Sequence, residues 1–297
     1  YVHGKGLKFG IYSCAGALTC QTLPGSFDQE FLDARTFAEW GCDYLKYVYC
    51  YRPAVDSKIL YRRMGMALRA TGKEILYSIC TGGCEHPERW ARSAGGDLFR
   101  TTADIEDNYE SFKQIAESQL HNLCCSAPGG YNDLDMLTVG MHGKGNVGAG
   151  GCTDREYKTE FVLWCLYGAP LMLGCDIRTL EGELLELVKN KNLIALCRDP
   201  ECRPAFEVSA HPWIAGRKVY MRFLSDGSYA VAFFNFSETA GNIPFYLFNA
   251  GLTSSSGYGM ILENMLTGER SEIQTSVFEV DLEPHDCAIF RARLVKI

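Results

Sequence analysis

The sequence predicts a (β/α)8 TIM-type barrel without its first two βα units, followed by an antiparallel β-sandwich. Up to about residue 197, short apolar runs alternate with segments whose apolar residues recur at helical spacing, which is typical of a parallel sheet. After Pro204 the apolar residues recur at every second position and no long helix follows, which favours antiparallel strands. We therefore expect a partial barrel domain over 1–200 and a β domain over 201–297.

The first part contains six expected strands, each followed by a helical pattern. The strands are expected at 7–13, 44–50, 74–80, 98–105, 131–137 and 170–176, and the helices at 28–41, 58–71, 87–95, 108–123, 154–168 and 181–197. Six such units make six eighths of a barrel, so we expect the chain alone not to close eight strands and the first strand to be an exposed edge. A doubly wound sheet is the alternative. The barrel is favoured because acids and bases gather at the ends of several strands.

The second part shows strand patterns at 218–236, 242–248, 257–266, 275–282 and 287–295. The first of these is interrupted by Asp226-Gly227, a dipeptide that is typical of a tight hairpin turn. An antiparallel sandwich is the expected result.

Composition excludes several classes of function. The 297 residues carry a net charge of -7 without a dense Lys/Arg tract, so neither nucleic acid nor an anionic membrane is an expected partner. No run of 18 apolar residues appears, and the opening residues lack a signal-peptide pattern, which favours the cytoplasm. Most of the 14 cysteines lie in apolar patterns, as Cys42, Cys165 and Cys287 do, and no CxxC pair has matching His ligands, so no metal or cofactor is expected.

Charged residues follow several of the strands. Lys46, Val48 and Cys50 share a face of the second strand, Arg100 and Asp104 a face of the fourth, and Asp133 and Asp135 a face of the fifth, while Tyr12 ends the first. Carboxylates held ionised by nearby cations suit cleavage of a glycosidic bond. The alternative is structural: a strand-end Asp often caps the next helix, and Lys46 could pair with a core acid.

One further motif competes. The run GKGNVG over 143–148 matches GxGxxG and would indicate a nucleotide-dependent oxidoreductase. It follows an acidic strand, comes late in the sheet, and precedes a helix that starts only near Asp154. We interpret it as a flexible loop at the rim.

Five motifs in order, GLKFGIYS, PGSFDQEFLDARTFAEWGCDYLKY, FRTTADI, GGYNDLDML and APLMLGCDIRTL, resemble glycoside hydrolase family 27, the melibiases. That family includes α-galactosidases and α-N-acetylgalactosaminidases. The resemblance covers most of residues 5–200 and is looser beyond. It implies a (β/α)8 barrel with a C-terminal antiparallel domain, and a retaining mechanism with a nucleophile and an acid/base carboxylate about 5 Å apart.

The resemblance also assigns roles to individual residues. Asp104 matches the acid/base and Arg100 the arginine that contacts the sugar. The matches to sugar-pocket positions are Tyr12, Lys46, Asp135 and Met136, and Cys20 with Cys50 matches a disulfide near the pocket. The implied partner is a terminal α-galactoside or α-N-acetylgalactosaminide.

Three departures from the family pattern stand out. The strand that usually reads YLKYD has Val48 at the nucleophile position, and Val offers no lone pair for a covalent intermediate. By strand parity Asp43, Tyr47 and Tyr49 face away and do not replace it. The first two barrel units, which carry an aspartate pair and a tryptophan that hold galactose, have no counterpart.

The third departure follows the next strand, where CEWP or CSWP becomes CTGGC. The small residues there, with Thr81 and Cys84, leave N-acetylgalactosamine open as a substrate. Two hypotheses result: a glycoside hydrolase of the α-galactosidase type with impaired turnover, or a non-catalytic, vestigial sugar-binding relative.

Overall fold

The computed structural model describes residues 1–145, 147, 150–209 and 214–297. The chain divides into two compact units, the first formed by 1–104 with 127–135 and the second by 105–126 with 136–297. No helix among the described residues is both long and apolar enough to cross a lipid bilayer.

The first unit is built on a five-stranded parallel sheet. Its strands are β1 (Gly10–Cys14), β2 (Tyr44–Val48), β3 (Leu76–Cys80), β4 (Leu98–Arg100) and β5 (Tyr131–Asp133). They pair in sequential order, each with the next along the chain. A doubly wound sheet would reverse direction at a switch point, so this order confirms barrel-type winding and removes the alternative.

Two helices cover this sheet, α1 (Glu30–Glu39) and α2 (Ser57–Ala70), and a 3-10 turn spans His3–Lys5. Between sheet and helices lies a core that contains Tyr47, Tyr61 and Tyr77. The helix expected over 87–95 is wrong: two 3-10 turns, Pro87–Arg89 and Ala91–Ala94, stand there. The non-helical Trp90 (φ -136°) separates them, and Gly95 ends the second in the left-handed region.

In the described part of the second unit there are four α-helices: α3 (Tyr109–Gln119), α4 (Asp154–Tyr167), α5 (Gly182–Val188) and α6 (Lys191–Cys197). A 3-10 turn lies at Leu123–Cys125. Thr153 caps α4 in a capping box with Glu156. The single helix expected over 181–197 is two, because the Asn190 side chain accepts from two backbone N–H groups and starts α6.

The strand expected at 170–176 is also corrected. Only one isolated parallel bridge forms there, between Leu137 and Leu173. Its two backbone bonds run from Leu137 N to Met172 O at 2.7 Å and from Gly174 N to Leu137 O at 2.9 Å. An added Cβ at Gly174 would lie 2.6 Å from Met136 Sδ, so a side chain at this position would require Met136 to move.

The remaining strands are antiparallel. They are β6 (Phe206–Glu207), β7 (Arg217–Phe223), β8 (Tyr229–Asn235), β9 (Gly241–Tyr246), β10 (Tyr258–Asn264), β11 (Val277–Leu282) and β12 (Cys287–Lys296), with a 3-10 turn at Leu247–Ala250. They form a five-stranded sheet, β10-β12-β8-β7-β6, and the pair β11-β9. The expected hairpin at Asp226-Gly227 joins β7 to β8, and the expected antiparallel sandwich is confirmed.

Candidate active site

The parallel register sets side chains side by side near the carboxyl ends of the strands. Cys14 pairs with Val48, Cys80 with Arg100, and Arg100 with Asp133. Val48 packs against both Cys14 and Cys80. We call these five residues the terminal row. Because side chains two apart on a strand share a face, Tyr12 and Lys46, which pair with each other, lie one layer below.

Arg100 is the charged centre of this region. It is buried, yet its Nη2 donates to Asp104 at 2.7 Å and to the carbonyl of Ala103 at 2.8 Å, and it lies 2.6 Å from Asp135 Oδ2. Burial lowers the pKa of Arg100, but the negative charges of Asp135 and the other nearby acidic groups raise it by a larger amount. The pKa of Arg100 is therefore above its ordinary value. Arg100 is therefore a fixed cation that holds two carboxylates.

The expected strand faces are wrong at two places. β4 ends at Arg100 and β5 at Asp133, so neither Asp104 nor Asp135 lies on a strand. Asp135 adopts a left-handed φ of 88°, and Asp104 has an 89% exposed side chain. The two carboxylates are brought together because both contact the guanidinium of Arg100, not because they share a face of a strand.

Asp133 is the buried acid of the terminal row. Burial raises its pKa, and the nearby Arg100 opposes the rise. Its Oδ1 accepts the backbone N–H of Asp135 at 2.9 Å, which fixes the turn that carries Asp135 to Arg100. Asp133 thus positions the carboxylate of Asp135 beside Arg100.

Val48 is buried in apolar and sulfur contacts. The polar side chains that neighbour Val48 in the sequence make their contacts with residues outside the terminal row. Tyr47 packs on Tyr61 and Tyr77, and the hydroxyl of Tyr49 donates to the carbonyl of Val55 at 3.1 Å. Asp43 precedes β2, where it pairs with His3, Lys8 and Lys73, so the pKa of its carboxyl is held well below its ordinary value by hydrogen bonds from Phe9 N and His3.

A disulfide joins Cys20 to Cys50 beside this row. The hydroxyl of Tyr12 lies 3.1 Å from Cys20 Sγ. Burial and the nearby Cys14 raise the pKa of Tyr12, so its hydroxyl stays protonated at neutral pH. The disulfide therefore anchors the loop over 15–26 next to Tyr12.

The loop after β3 is small and closed on itself. The buried hydroxyl of Thr81 donates to the carbonyl of Cys84 at 2.5 Å, and Gly82 and Gly83 both have positive φ. Cys84 is exposed, with its thiol 3.9 Å from the carbonyl of Gly82. Thr81 stabilises the loop. An added Cβ at Gly82 would meet nothing within 4 Å, whereas at Gly83 it would lie 2.5 Å from the backbone carbonyl carbon of Thr102.

Comparison with known proteins gives the lineage. Residues 1–199 match the family model described as alpha galactosidase A, and residues 215–292 match the alpha galactosidase C-terminal beta sandwich domain. The chain belongs to the alpha-galactosidase family, glycoside hydrolase family 27.

Individual relatives within the family agree. The chain is 37% identical over 290 residues to alpha-galactosidase 3 of Arabidopsis thaliana, covering 98% of this chain and 64% of the relative. It is 36% identical to an alpha-galactosidase of Cyamopsis tetragonoloba, covering 98% and 67%. Its fold matches the crystal structure of alpha-galactosidase I from Mortierella vinacea with a TM-score of 0.89 at 26% identity, covering 98% and 77%. The chain spans about two thirds of the length of these curated relatives.

Sequence reasoning missed two members of the terminal row, Cys14 and Cys80, and it grouped Asp133 with the strand-end carboxylates without giving it a role. Strand parity could have found Cys14, which stands two residues after Tyr12, and it placed Asp133 on the correct strand. Cys80 has a raised pKa because of burial, which the charges of Arg100 and Lys46 oppose. Met136 follows Asp135 and lies against Gly174.

The structure describes only part of the competing GKGNVG motif. Asn146 and Gly148 lie outside the described residues. Gly143 N donates to Asp107 Oδ2 at 2.7 Å, and a carboxylate at this amide occupies a donor that a phosphate would need. The next helix begins at Asp154, as expected. Among the residues that the structure describes, no group of three His, Cys, Asp or Glu side chains is placed to hold a metal ion.

Proposed function

We propose that the protein carrying this chain is a retaining glycoside hydrolase of the alpha-galactosidase type whose site binds terminal α-linked galactose but turns it over very slowly. The observation that carries the proposal is the contrast between the ion pairs of Arg100 and the apolar contacts of Val48. Arg100 with Asp104 and Asp135 forms a complete charged cluster, whereas Val48 packs against Cys14 and Cys80 where the family places its nucleophile.

Each half of the reaction depends on a different residue, the acid/base step on Asp104 and the covalent step on the position of Val48. Asp104, exposed and held by Arg100, is the group that protonates the leaving oxygen and later deprotonates water. The covalent step needs a carboxylate to attack the anomeric carbon as the glycosidic bond breaks. Val48 has no lone pair to form that bond, so the protein retains the acid and loses the nucleophile.

The finer choice of sugar rests on the loop after β3. A galactoside with a 2-hydroxyl and one with a 2-acetamido group differ in the space they need. Gly82, where an added Cβ would meet nothing within 4 Å, and Thr81, bonded inside the loop, support room for the larger group. We therefore include terminal α-N-acetylgalactosaminides in the proposal.

The test is hydrolysis of a chromogenic α-galactoside and of its α-N-acetylgalactosaminide analogue by the unmodified protein and by Val48→Asp. The Asp variant restores an attacking carboxylate, so we expect kcat to rise by at least about 1,000-fold. Val48→Asn is the matched control, because Asn has the size and polarity of Asp but no carboxylate. Equal activity of the unmodified protein and Val48→Asp would overturn the proposal.

The same observation favours a second candidate, a sugar-binding protein without catalysis. Calorimetry with galactose and N-acetylgalactosamine decides between the two. Binding without hydrolysis in either the unmodified protein or Val48→Asp supports the binding function. In that case Asp135→Asn should weaken sugar binding, because it releases the Arg100 guanidinium from its partner.

A further inference from the structure

The sulfur atoms beside Val48 form a set that the glycosidase chemistry does not use. Cys14 ends β1 fully buried, and it packs with Cys50, whose own sulfur is bonded to Cys20. Cys14 Sγ lies 3.2 Å from the backbone nitrogen of Cys50 and 3.5 Å from its carbonyl oxygen. A free thiol thus lies against the backbone of a residue whose own sulfur is in a disulfide.

The hydrogen bonds of Cys14 hold its sulfur beside Cys50. The backbone N–H groups of Gly16 and Cys50 both donate to Cys14 Sγ at 3.2 Å, and Cys14 Sγ donates to the carbonyl of Cys50 at 3.5 Å. The thiolate is the species that attacks a disulfide, so the exchange begins when the Cys14 thiol gives up its proton.

The surroundings of Cys20 suit a leaving group. Cys20 is exposed, whereas Cys14 is buried. The protonated hydroxyl of Tyr12 stands 3.1 Å from Cys20 Sγ, where it can donate a hydrogen bond to a released thiolate. Attack at Cys50 would therefore expel a sulfur that has a donor beside it and access to water.

We propose that Cys14, Cys50 and Cys20 form a thiol–disulfide exchange site with two alternative disulfides. The Cys14 thiolate attacks Cys50 Sγ, the Cys14–Cys50 bond forms as the Cys20–Cys50 bond breaks, and Cys20 leaves as a thiolate that takes up one proton. One disulfide and one thiol are present before and after, so no oxidant or reductant is consumed.

The exchange has a structural consequence for the loop over 15–26. In the Cys20–Cys50 form this loop is tied to the residues after β2, and an added Cβ on Gly16 would lie 1.8 Å from the carbonyl oxygen of Cys50. In the Cys14–Cys50 form the loop loses its covalent tie, and Tyr12 loses the sulfur next to its hydroxyl. The exchange therefore changes the side of the site that Tyr12 forms.

The experiment traps the released thiol. The folded, unreduced protein is incubated with iodoacetamide at about pH 8, then digested without reduction and its cysteine-linked peptides are mapped by mass spectrometry. We expect alkylated Cys20 to accumulate together with a Cys14–Cys50 peptide. In Cys14→Ser the Cys20–Cys50 bond should remain and Cys20 should stay unmodified. Cys42→Ser, which removes a buried cysteine of the core away from the disulfide, is the control and should behave as the unmodified protein.

A second variant keeps the proposal testable if Cys14→Ser does not fold. In Cys20→Ser, Cys50 has lost its partner, and mild oxidation with oxidised glutathione should form Cys14–Cys50 in the folded protein. Two results would overturn the proposal: alkylation of Cys20 at the same rate in Cys14→Ser, or Cys50 recovered as a glutathione adduct without any Cys14–Cys50 bond in Cys20→Ser. Neither readout depends on glycosidase activity, so the proposal stands or fails apart from the proposed function.

Discussion

Arg100 decides how the charged residues of the candidate site are arranged. It is buried, and it holds Asp104 and Asp135 at 2.7 and 2.6 Å, although neither acid lies on a strand. The pair with Asp135 is largely buried, and removing one partner of such a pair costs about 3 kcal/mol or more, whereas the pair with the exposed Asp104 is weakened by water. The position of Asp104 therefore depends on a cation that the folded chain has already buried.

Asp133 provides a prediction at the same scale. Burial raises the pKa of Asp133 in the folded state above the ordinary 3.8, which is taken as its pKa in the unfolded state. At a pH between the unfolded-state and folded-state pKa, the folded state keeps a proton that the unfolded state has released. Stability contributed by this group is then lost as the pH rises through that window. Asp133→Asn is neutral throughout and keeps the Oδ1 acceptor for Asp135 N.

Urea unfolding of both proteins from about pH 4 to about pH 7 measures this effect. We expect the free energy of unfolding of Asp133→Asn, relative to the unmodified protein, to increase with pH, by about 1.4 kcal/mol for each unit of the raised pKa. A difference that is flat or decreasing with pH would contradict the interpretation of Asp133 as a buried acid.

At the scale of elements, helix termini explain where several segments begin. Asn108, Thr153 and Asn190 each accept backbone N–H groups at the start of α3, α4 and α6. Arg222, buried on β7, donates to the carbonyls of Cys165, Leu166 and Leu196 near the ends of α4 and α6. Burial lowers the pKa of Arg222, and the charge of the nearby Asp199 opposes this decrease.

Thr153→Ala tests the capping of α4. Thr153 Oγ1 accepts the backbone N–H of Glu156 at 3.3 Å, and the Glu156 carboxylate accepts from Thr153 N at 2.8 Å. Loss of the cap should lower the free energy of unfolding by about 1 kcal/mol. Thr36→Ala, at a half-buried position within α1, is the control and should change it by less than about 0.5 kcal/mol. If the two substitutions lowered the free energy of unfolding equally, the Thr153 cap would not contribute specifically to the stability of α4.

At the scale of the whole molecule, each unit has its own apolar core. The first contains Tyr47, Tyr61 and Phe99, and the second is centred on Phe233. The ring of Phe233 on β8 lies 6.4 Å from that of Phe245 on β9, 6.0 Å from Phe278 on β11 and 5.7 Å from Phe290 on β12. One side chain therefore joins both sheets of the sandwich.

Phe233→Ala should be strongly destabilising, because it removes a fully buried ring from contacts with both sheets. We expect a loss of about 3 to 5 kcal/mol in the free energy of unfolding, measured by chemical denaturation. Phe223→Ala, on β7 with a partly exposed ring, should cost clearly less. Comparable losses would mean that the contacts of Phe233 across the sandwich do not stabilise it.

Periodicity located most elements, and it failed where local chemistry overrides it. Strands β7 to β12 and helices α1 to α4 lie where the apolar patterns predicted them, whereas the short β6 was not predicted. The helix expected at 87–95 became two turns around Trp90, and the one at 181–197 was divided at Asn190, because backbone conformation and capping act on single residues. Hydrophobic spacing does not register such effects.

The sequence by itself determined the lineage, the barrel-type alternation and the identity of Val48, since these depend on residue types and their order. Only the tertiary structure decided that Arg100 gathers Asp104 and Asp135 from loops beyond the strands, and that Cys14 lies against the Cys20–Cys50 disulfide. Those contacts join residues from different strands and loops. Their geometry follows from strand register, burial and turns such as the left-handed Asp135, none of which a linear pattern specifies.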